Sequence, residues 1–365
     1  MKKLINGLLL FICTFTFADE TPYIVEAVAE NLDHPWSIAF LPDNTYLISL
    51  PSGSLHRLSE DGVLGPGISG LPNTYSQGQG GFFDVVLDPN FTNNQRIYLS
   101  RAAGTAKSNT TEVISGRLLN NTLLAVKTVF SIHPTKDTAL HYGGRLAFLN
   151  DGTLLLTSGE AYKYRTAAQN PFSQLGKVVR FNSDGSVPSD NPHADGKKAD
   201  PYIFTLGHRN PQGLFIDPSN ETIYLHEHGA KGGDEVNILK AGENYGWPAT
   251  THGVNYSGTI ISRFESLPDK EDPIHVWVPS IAPSGLTLYR GIQFPNWDNS
   301  LFIGALASRE VRRLQLENGK IISEEALFTE IKERIRDIRT GPDGYLYILT
   351  DSPQGKVLRI RPSHK

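Results

Sequence analysis

Leu146-Ala147-Phe148-Leu149-Asn150-Asp151-Gly152-Thr153-Leu154-Leu155-Leu156-Thr157 is the stretch from which the fold can be read. Two apolar, β-prone runs flank Asn-Asp-Gly, residues that tolerate the left-handed backbone a tight hairpin turn requires. The arrangement recurs on both sides. Ser37 to Leu41 leads through Pro42-Asp43-Asn44 to Thr45–Leu50, and Asp84 to Leu87 leads through Asp88-Pro89-Asn90 to Arg96–Ser100. Leu214 to Ile216 leads through Asp217-Pro218-Ser219-Asn220 to Thr222–Leu225. Leu286 to Tyr289 is followed, after Phe294-Pro295-Asn296-Trp297, by Ser300–Ile303, and Ile338-Arg339 by Gly341-Pro342-Asp343-Gly344 and Tyr345–Leu349.

A third strand often completes the unit, as in Leu55–Leu58, Lys177–Phe181, Val311–Leu314 and Val357–Ile360. Six units spaced roughly 45 to 70 residues apart have the size of propeller blades. The sequence therefore predicts an all-β chain folded as a six-bladed β-propeller, a single domain over 19–365. Radial repetition leaves few open sheet edges, whereas a sandwich or barrel gives no reason for the unit to recur. Tyr23-Ile24-Val25-Glu26-Ala27-Val28 alternates like a strand and is expected to complete the last blade and close the ring. Glu324 to Arg336 places Leu327, Ile331 and Ile335 at helical spacing, but within the repeat it is expected to form an outer strand and a loop.

The ends and the composition narrow the function. Met1-Lys2-Lys3, the apolar run Leu4 to Phe17 and the small Ala18 form a signal peptide over 1–18. Export is expected, to a bacterial periplasm, since Cys13 is the only cysteine and the mature chain would have none. Disulfides and thiol catalysis are thereby excluded. The net charge of −4 contains no basic block, which argues against nucleic acid. No run is long and apolar enough for a transmembrane helix. The sequence allows a monomer or a dimer.

The residues just before each unit's first strand carry the chemistry. In a propeller such positions surround one end of the central channel, so Gln79, His141, Arg209, Asn210, Arg334 and Arg336 are expected to converge there. Singly each has an ordinary structural reading, a turn contact or a solvated cation; their shared offset from the strand raises the joint case. Three arginines at one mouth predict an anionic ligand with several carboxylates. Asp234, Glu235 and the glycine-rich carbonyls around them predict a hard cation, Ca2+ ahead of Mg2+, unless they form an acidic surface turn. His226 and His228 share a strand face without an evident third metal ligand. Phosphate-binding, dinucleotide-binding and serine-elbow motifs are absent from the sequence.

At these residues the chain resembles the soluble dehydrogenases of sugars that depend on pyrroloquinoline quinone (PQQ), and among them the bacterial aldose sugar dehydrogenase branch. The resemblance runs from about Asn31 to Ile360 and rests on Gly78-Gln79-Gly80-Gly81, His141 with Gly143-Gly144-Arg145-Leu146, Gly207 to Gly213, and Gly232-Gly233-Asp234-Glu235. It rests further on Asn244 to Pro248, Asn255-Tyr256-Ser257-Gly258, Pro279 to Gly285, and Arg334-Ile335-Arg336-Asp337. It implies a six-bladed enzyme that uses PQQ and Ca2+ to oxidise an aldose to its lactone and passes electrons to an external acceptor. It makes His141 the general base, with Glu160 supporting it. Gln79, Arg209, Asn210, Tyr256, Arg334, Ile335 and Arg336 fall at the family's PQQ-contacting positions, as does the segment Ala305-Leu306-Ala307. The carbonyls of Gly229 and Ala230 would bind the PQQ-associated Ca2+, and Glu235 and Tyr245 a separate structural Ca2+. One departure stands out. The family usually has lysine at the position of Ala307, and the nearest cation here is Arg309. A Ca2+-dependent lactonase and a non-catalytic ligand-binding propeller are the competing readings.

Overall fold

A computed structural model of the chain describes residues 22–363. The leader expected over 1–18 and Cys13 lie outside them. Six four-stranded antiparallel sheets follow one another around a ring, as the repeat predicts. The innermost strands, in chain order, are Ser37–Phe40, Phe82–Leu87, Leu146–Phe148, Pro211–Ile216, Pro283–Tyr289 and Ile335–Thr340. In each of the first five sheets the next three strands follow outward in order. The sixth borrows its outer strand from the start of the chain: Tyr23–Leu32 pairs with Gly355–Pro362, Val25 opposite Ile360. Glu26 accepts from both Arg359 and Arg361 across this closure.

The turns explain why the hairpins form where they do. Asp43, Asp151, Asp217 and Asp343 each accept a hydrogen bond from the backbone N–H two residues on. This Asx turn reverses the chain without help from tertiary contacts. Second strands such as Leu154–Ser158 and Leu346–Thr350 are buried along their whole length, because both faces of each sheet pack on a neighbouring blade. Phe130 of the second blade stacks on Phe181 of the third, with ring centres 4.5 Å apart. Tyr23, Trp297, Phe302 and Phe328 join the fifth blade to the sixth. The stretch from Glu324 to Arg336 forms the end of an outer strand, Lys320–Leu327, a single helical turn Thr329–Ile331, and the start of the next inner strand. Blade packing overrides its helical spacing.

Charge fills the middle of the ring. Arg145 pairs with Asp337 at 2.9 Å and lies 4.0 Å from Asp84. Arg339 pairs with Asp84 at 2.7 Å and with Asp337 at 3.1 Å. Two positive and two negative groups thus neutralise one another among inner strands of the second, third and sixth blades. Arg145 also donates to the carbonyls of Gln212 and Arg336, which carries this network up to the mouth of the channel.

Candidate active site

A cavity of about 650 Å3 opens at one end of the channel. Every blade gives it a residue at or just before its inner strand: Trp36, Gln79, Tyr142, Asn210, Ala282 and Arg334. The propeller thus gathers positions that the sequence scatters over some three hundred residues.

His141 immediately precedes the wall residues Tyr142 and Gly143 but is not itself among the wall residues. Its backbone N–H donates to Gln79 Oε1 at 2.7 Å, and its φ of +50° is left-handed, a conformation a side chain with a β-carbon adopts only when held. Nδ1 lies 3.3 Å from Glu160 Oε1. Among the described residues no group bonds Nε2. Burial pulls the imidazole from its ordinary 6.5 down to about 4, with the Arg209 charge adding to the effect and Glu160 opposing it. At neutral pH the ring is therefore uncharged, with a free lone pair available on Nε2 when Nδ1 carries the proton. Glu160 is fully buried and its backbone N–H donates to the Arg209 carbonyl at 2.9 Å.

The cationic groups are less free than the sequence suggests. Arg334 and Arg336 both line the cavity but share one carboxylate, Asp351, at 3.0 and 3.1 Å. Arg334 also donates to the Leu306 carbonyl. Arg209 donates to the His228 carbonyl at 3.1 Å and stands 5.4 Å from the Trp247 ring centre. Asn210 Oδ1 accepts from the Gly143 N–H. Asp351, just past the strand Leu346–Thr350, is a wall residue that the sequence pattern does not single out.

Several expected cofactor contacts lie elsewhere. Ile335 and Ala305 are fully buried, their side chains packed in core clusters, because both lie in strands with apolar neighbours on each face. Leu306 reaches the wall. Ala307 is exposed, with its N–H bonded to the Ile281 carbonyl. Tyr256 is 61% exposed, in a loop closed by pairing of Val254 with Ile260, and is not among the wall residues.

The acidic residues divide by environment. Asp234, expected as a cation ligand, is engaged otherwise: it accepts from the Gly229 N–H, the Ser280 hydroxyl and the N–H groups of Ile281 and Ala282. It braces the loop rather than offering free oxygen. That loop fits a hard cation through its backbone. A β-carbon on Gly229 would stand 2.2 Å from the Gly232 carbonyl oxygen, so the tight turn requires glycine. The buried Gly229 carbonyl accepts no hydrogen bond among the described residues. Glu235 faces Glu227 on the neighbouring strand. Burial, then the Glu227 charge, pushes its carboxyl well above the usual range. A cation there would relieve both effects. The Tyr245 hydroxyl donates to the Ile238 carbonyl and accepts from the Lys240 N–H, which leaves Tyr245 its backbone carbonyl as a metal ligand. No grouping of three or more His, Cys, Asp or Glu among the described residues is arranged to hold a metal.

The profile of the glucose/sorbosone dehydrogenases matches residues 32–359, nearly the whole described chain. The chain belongs to this family. It is 41% identical to the aldose sugar dehydrogenase YliI of Escherichia coli over 344 residues, which cover 93% of the chain and 92% of that relative. It is 25% identical to quinoprotein glucose dehydrogenase B of Acinetobacter calcoaceticus over 93% of its length and 87% of the relative's. Among solved structures, a glucose dehydrogenase superposes with a TM-score of 0.90 at 43% identity, covering 92% of the chain and 99% of the other. The apo-form of the soluble E. coli aldose sugar dehydrogenase superposes with a TM-score of 0.90 at 40% identity, covering 93% and 99%. The six-bladed fold is thus the family's fold, and no helix among the described residues is long and apolar enough to cross a membrane.

Proposed function

We propose that the chain is an exported quinoprotein that oxidises the C1 hydroxyl of aldose sugars to lactones, with PQQ and Ca2+ at the mouth of the channel and an external electron acceptor. The observation that carries this reading is the uncharged His141, whose Nδ1 faces a buried carboxylate, whose Nε2 is unbonded among the described residues, and whose chain neighbours Tyr142 and Gly143 line the cavity. The relatives support it: one is an aldose sugar dehydrogenase, another a quinoprotein glucose dehydrogenase. When bound, PQQ supplies the two-electron acceptor for the C1 hydride and Ca2+ the Lewis acid that polarises it.

The protein's own part is proton transfer and positioning. His141 Nε2 takes the hydroxyl proton as the C1–H electron pair leaves, so the C1–O bond becomes the lactone carbonyl. The imidazolium formed is stabilised by Glu160, which lies against Nδ1. Gln79 holds the His141 backbone. Asn210, Arg334 and Arg336 give the cavity wall the donors that an anionic quinone needs. Arg209 is buried and is not among the wall residues. The Gly229 and Ala230 carbonyls would hold the catalytic cation, and Glu235 with the Tyr245 carbonyl a structural one. Tyr256 would reach the cofactor only if its loop closed over the cavity.

Reconstitution tests the proposal. Apoprotein is mixed with PQQ and Ca2+, and reduction of an acceptor dye is followed with glucose and other aldoses. Dye reduction that needs both additions is the expected result. Lactone hydrolysis without PQQ, or silence with every aldose, would reject it.

A further inference from the structure

Tyr162 is an exposed aromatic ring next to His141 that the proposed chemistry leaves unused. It stands perpendicular to the imidazole, with ring centres 5.5 Å apart and planes at 89°. The residue is 38% exposed, so part of the ring is open to solvent. Its hydroxyl bonds no group among the described residues. Tyr164, two residues on and equally exposed, differs in this respect: its hydroxyl donates to Asp137 Oδ1 at 2.9 Å.

The backbone that presents Tyr162 is strained. Ala161 and Tyr162 have φ of +64° and +66°, a left-handed pair that residues with a β-carbon adopt only when their surroundings enforce it. Ala161 is fully buried, and its carbonyl accepts from the Thr138 hydroxyl at 2.9 Å and the Lys163 N–H at 2.7 Å. Asp137 and Thr138 lie just ahead of His141 in the chain. The loop that carries Tyr162 is thereby tied to the segment that carries the imidazole. Burial of the phenol does not account for the strain, because more than a third of the residue stays in water.

A pyranose fits such a group. It has an apolar C–H face and a hydroxylated edge, and tyrosine has an apolar ring and a hydroxyl that both donates and accepts. An aldose whose C1 hydroxyl lies about 3 Å from His141 Nε2 comes within reach of a phenol packed on the same imidazole. We propose that Tyr162 is the specificity-determining residue of the sugar subsite. Its ring carries the C–H face of the aldose, and its hydroxyl bonds one of the C2, C3 or C4 hydroxyls, which brings the C1 hydroxyl to Nε2. The inference rests on reading His141 as the base of an aldose dehydrogenase.

Steady-state kinetics of the protein reconstituted with PQQ and Ca2+ test it, with glucose and its epimers at C2, C3 and C4 (mannose, allose and galactose) as substrates. Tyr162→Ala should raise KM for glucose by about tenfold or more, with PQQ affinity within a factor of about two. Tyr162→Phe keeps the ring and loses the hydroxyl. It should lower kcat/KM about fivefold for the sugars that present the bonded hydroxyl and leave the epimer that lacks it nearly unchanged. Tyr164→Phe is the control and should keep the wild-type ranking. Undiminished turnover of glucose by Tyr162→Ala overturns the proposal. So does a loss of kcat shared equally by all four sugars at unchanged KM, the mark of a ring that merely packs the imidazole. An unchanged ranking in Tyr162→Phe overturns it as well, and that variant decides alone if Tyr162→Ala does not fold. A wild type silent with every aldose rejects the quinoprotein reading itself, and the inference falls with it.

Discussion

Asp84→Asn tests whether the charged centre of the ring holds the mouth together. Asp84 is 1% exposed. Its carboxylate accepts from the Ser37 hydroxyl at 2.6 Å, Arg339 at 2.7 Å and the Leu146 N–H at 3.1 Å. Asparagine keeps the shape and removes one negative charge, so the buried Arg145 and the partly buried Arg339 are left with Asp337 alone. Its amide also turns two donor hydrogens toward groups that are themselves donors. Stripping one partner from a buried charge network destabilises by about 3–5 kcal/mol. Chemical denaturation of the apoprotein measures the loss. Asp217→Asn is the control: Asp217 pairs at 2.8 Å with Arg290, a partly exposed side chain, and about 1–2 kcal/mol is expected there. A loss below about 1 kcal/mol for Asp84→Asn, or one no larger than the control's, would refute the reasoning. Arg145 links this network to the Gln212 and Arg336 carbonyls, so PQQ affinity should fall in the same variant.

Acid should destabilise the protein through its buried histidines. Burial holds His141 at about 4 and His226 at about 3, both below the ordinary 6.5. The unfolded chain then binds more protons below 6.5, so this stability is complete above that pH and is lost as the pH falls toward 4 and 3. The loss is of order 3 kcal/mol for His141, and a denaturation midpoint flat from pH 7 to about pH 4 would contradict the assignment. Glu160→Gln should lower kcat about a hundredfold with little change in PQQ affinity, measured by steady-state kinetics and cofactor titration. Ala307→Lys adds a cation beside Leu306 at the wall and should tighten PQQ binding about fivefold, the value of a solvent-exposed charge contact; weaker binding would count against an anionic ligand there.

The inner strands and their turns are legible in the sequence because their signals are local. An apolar run, an Asx turn and a second apolar run declare a hairpin wherever they occur. The shared offset of Gln79, His141 and Asn210 from the inner strand is enough to bring them to one end of the channel. The outer strands are harder to read. Leu64–Gly67 is largely exposed at a blade edge, so no apolar pattern marks it. Roles set by partners from other blades are invisible in a linear chain. Asp234 reads as a metal ligand until Ser280, Ile281 and Ala282 are seen to occupy it. Asp351 draws no notice in the sequence until Arg334 and Arg336 are brought to it. Ile335 and Ala305 share motifs with wall residues, but strand alternation turns their side chains into the core.

A crystal structure of the chain grown with PQQ and Ca2+ examines the central claim most directly. The account predicts cofactor density in the cavity walled by Gln79, Asn210, Arg334 and Arg336, a cation on the Gly229 and Ala230 carbonyls, and His141 Nε2 facing the quinone. Saturating PQQ that leaves this mouth empty, or that settles on another face of the propeller, would contradict it.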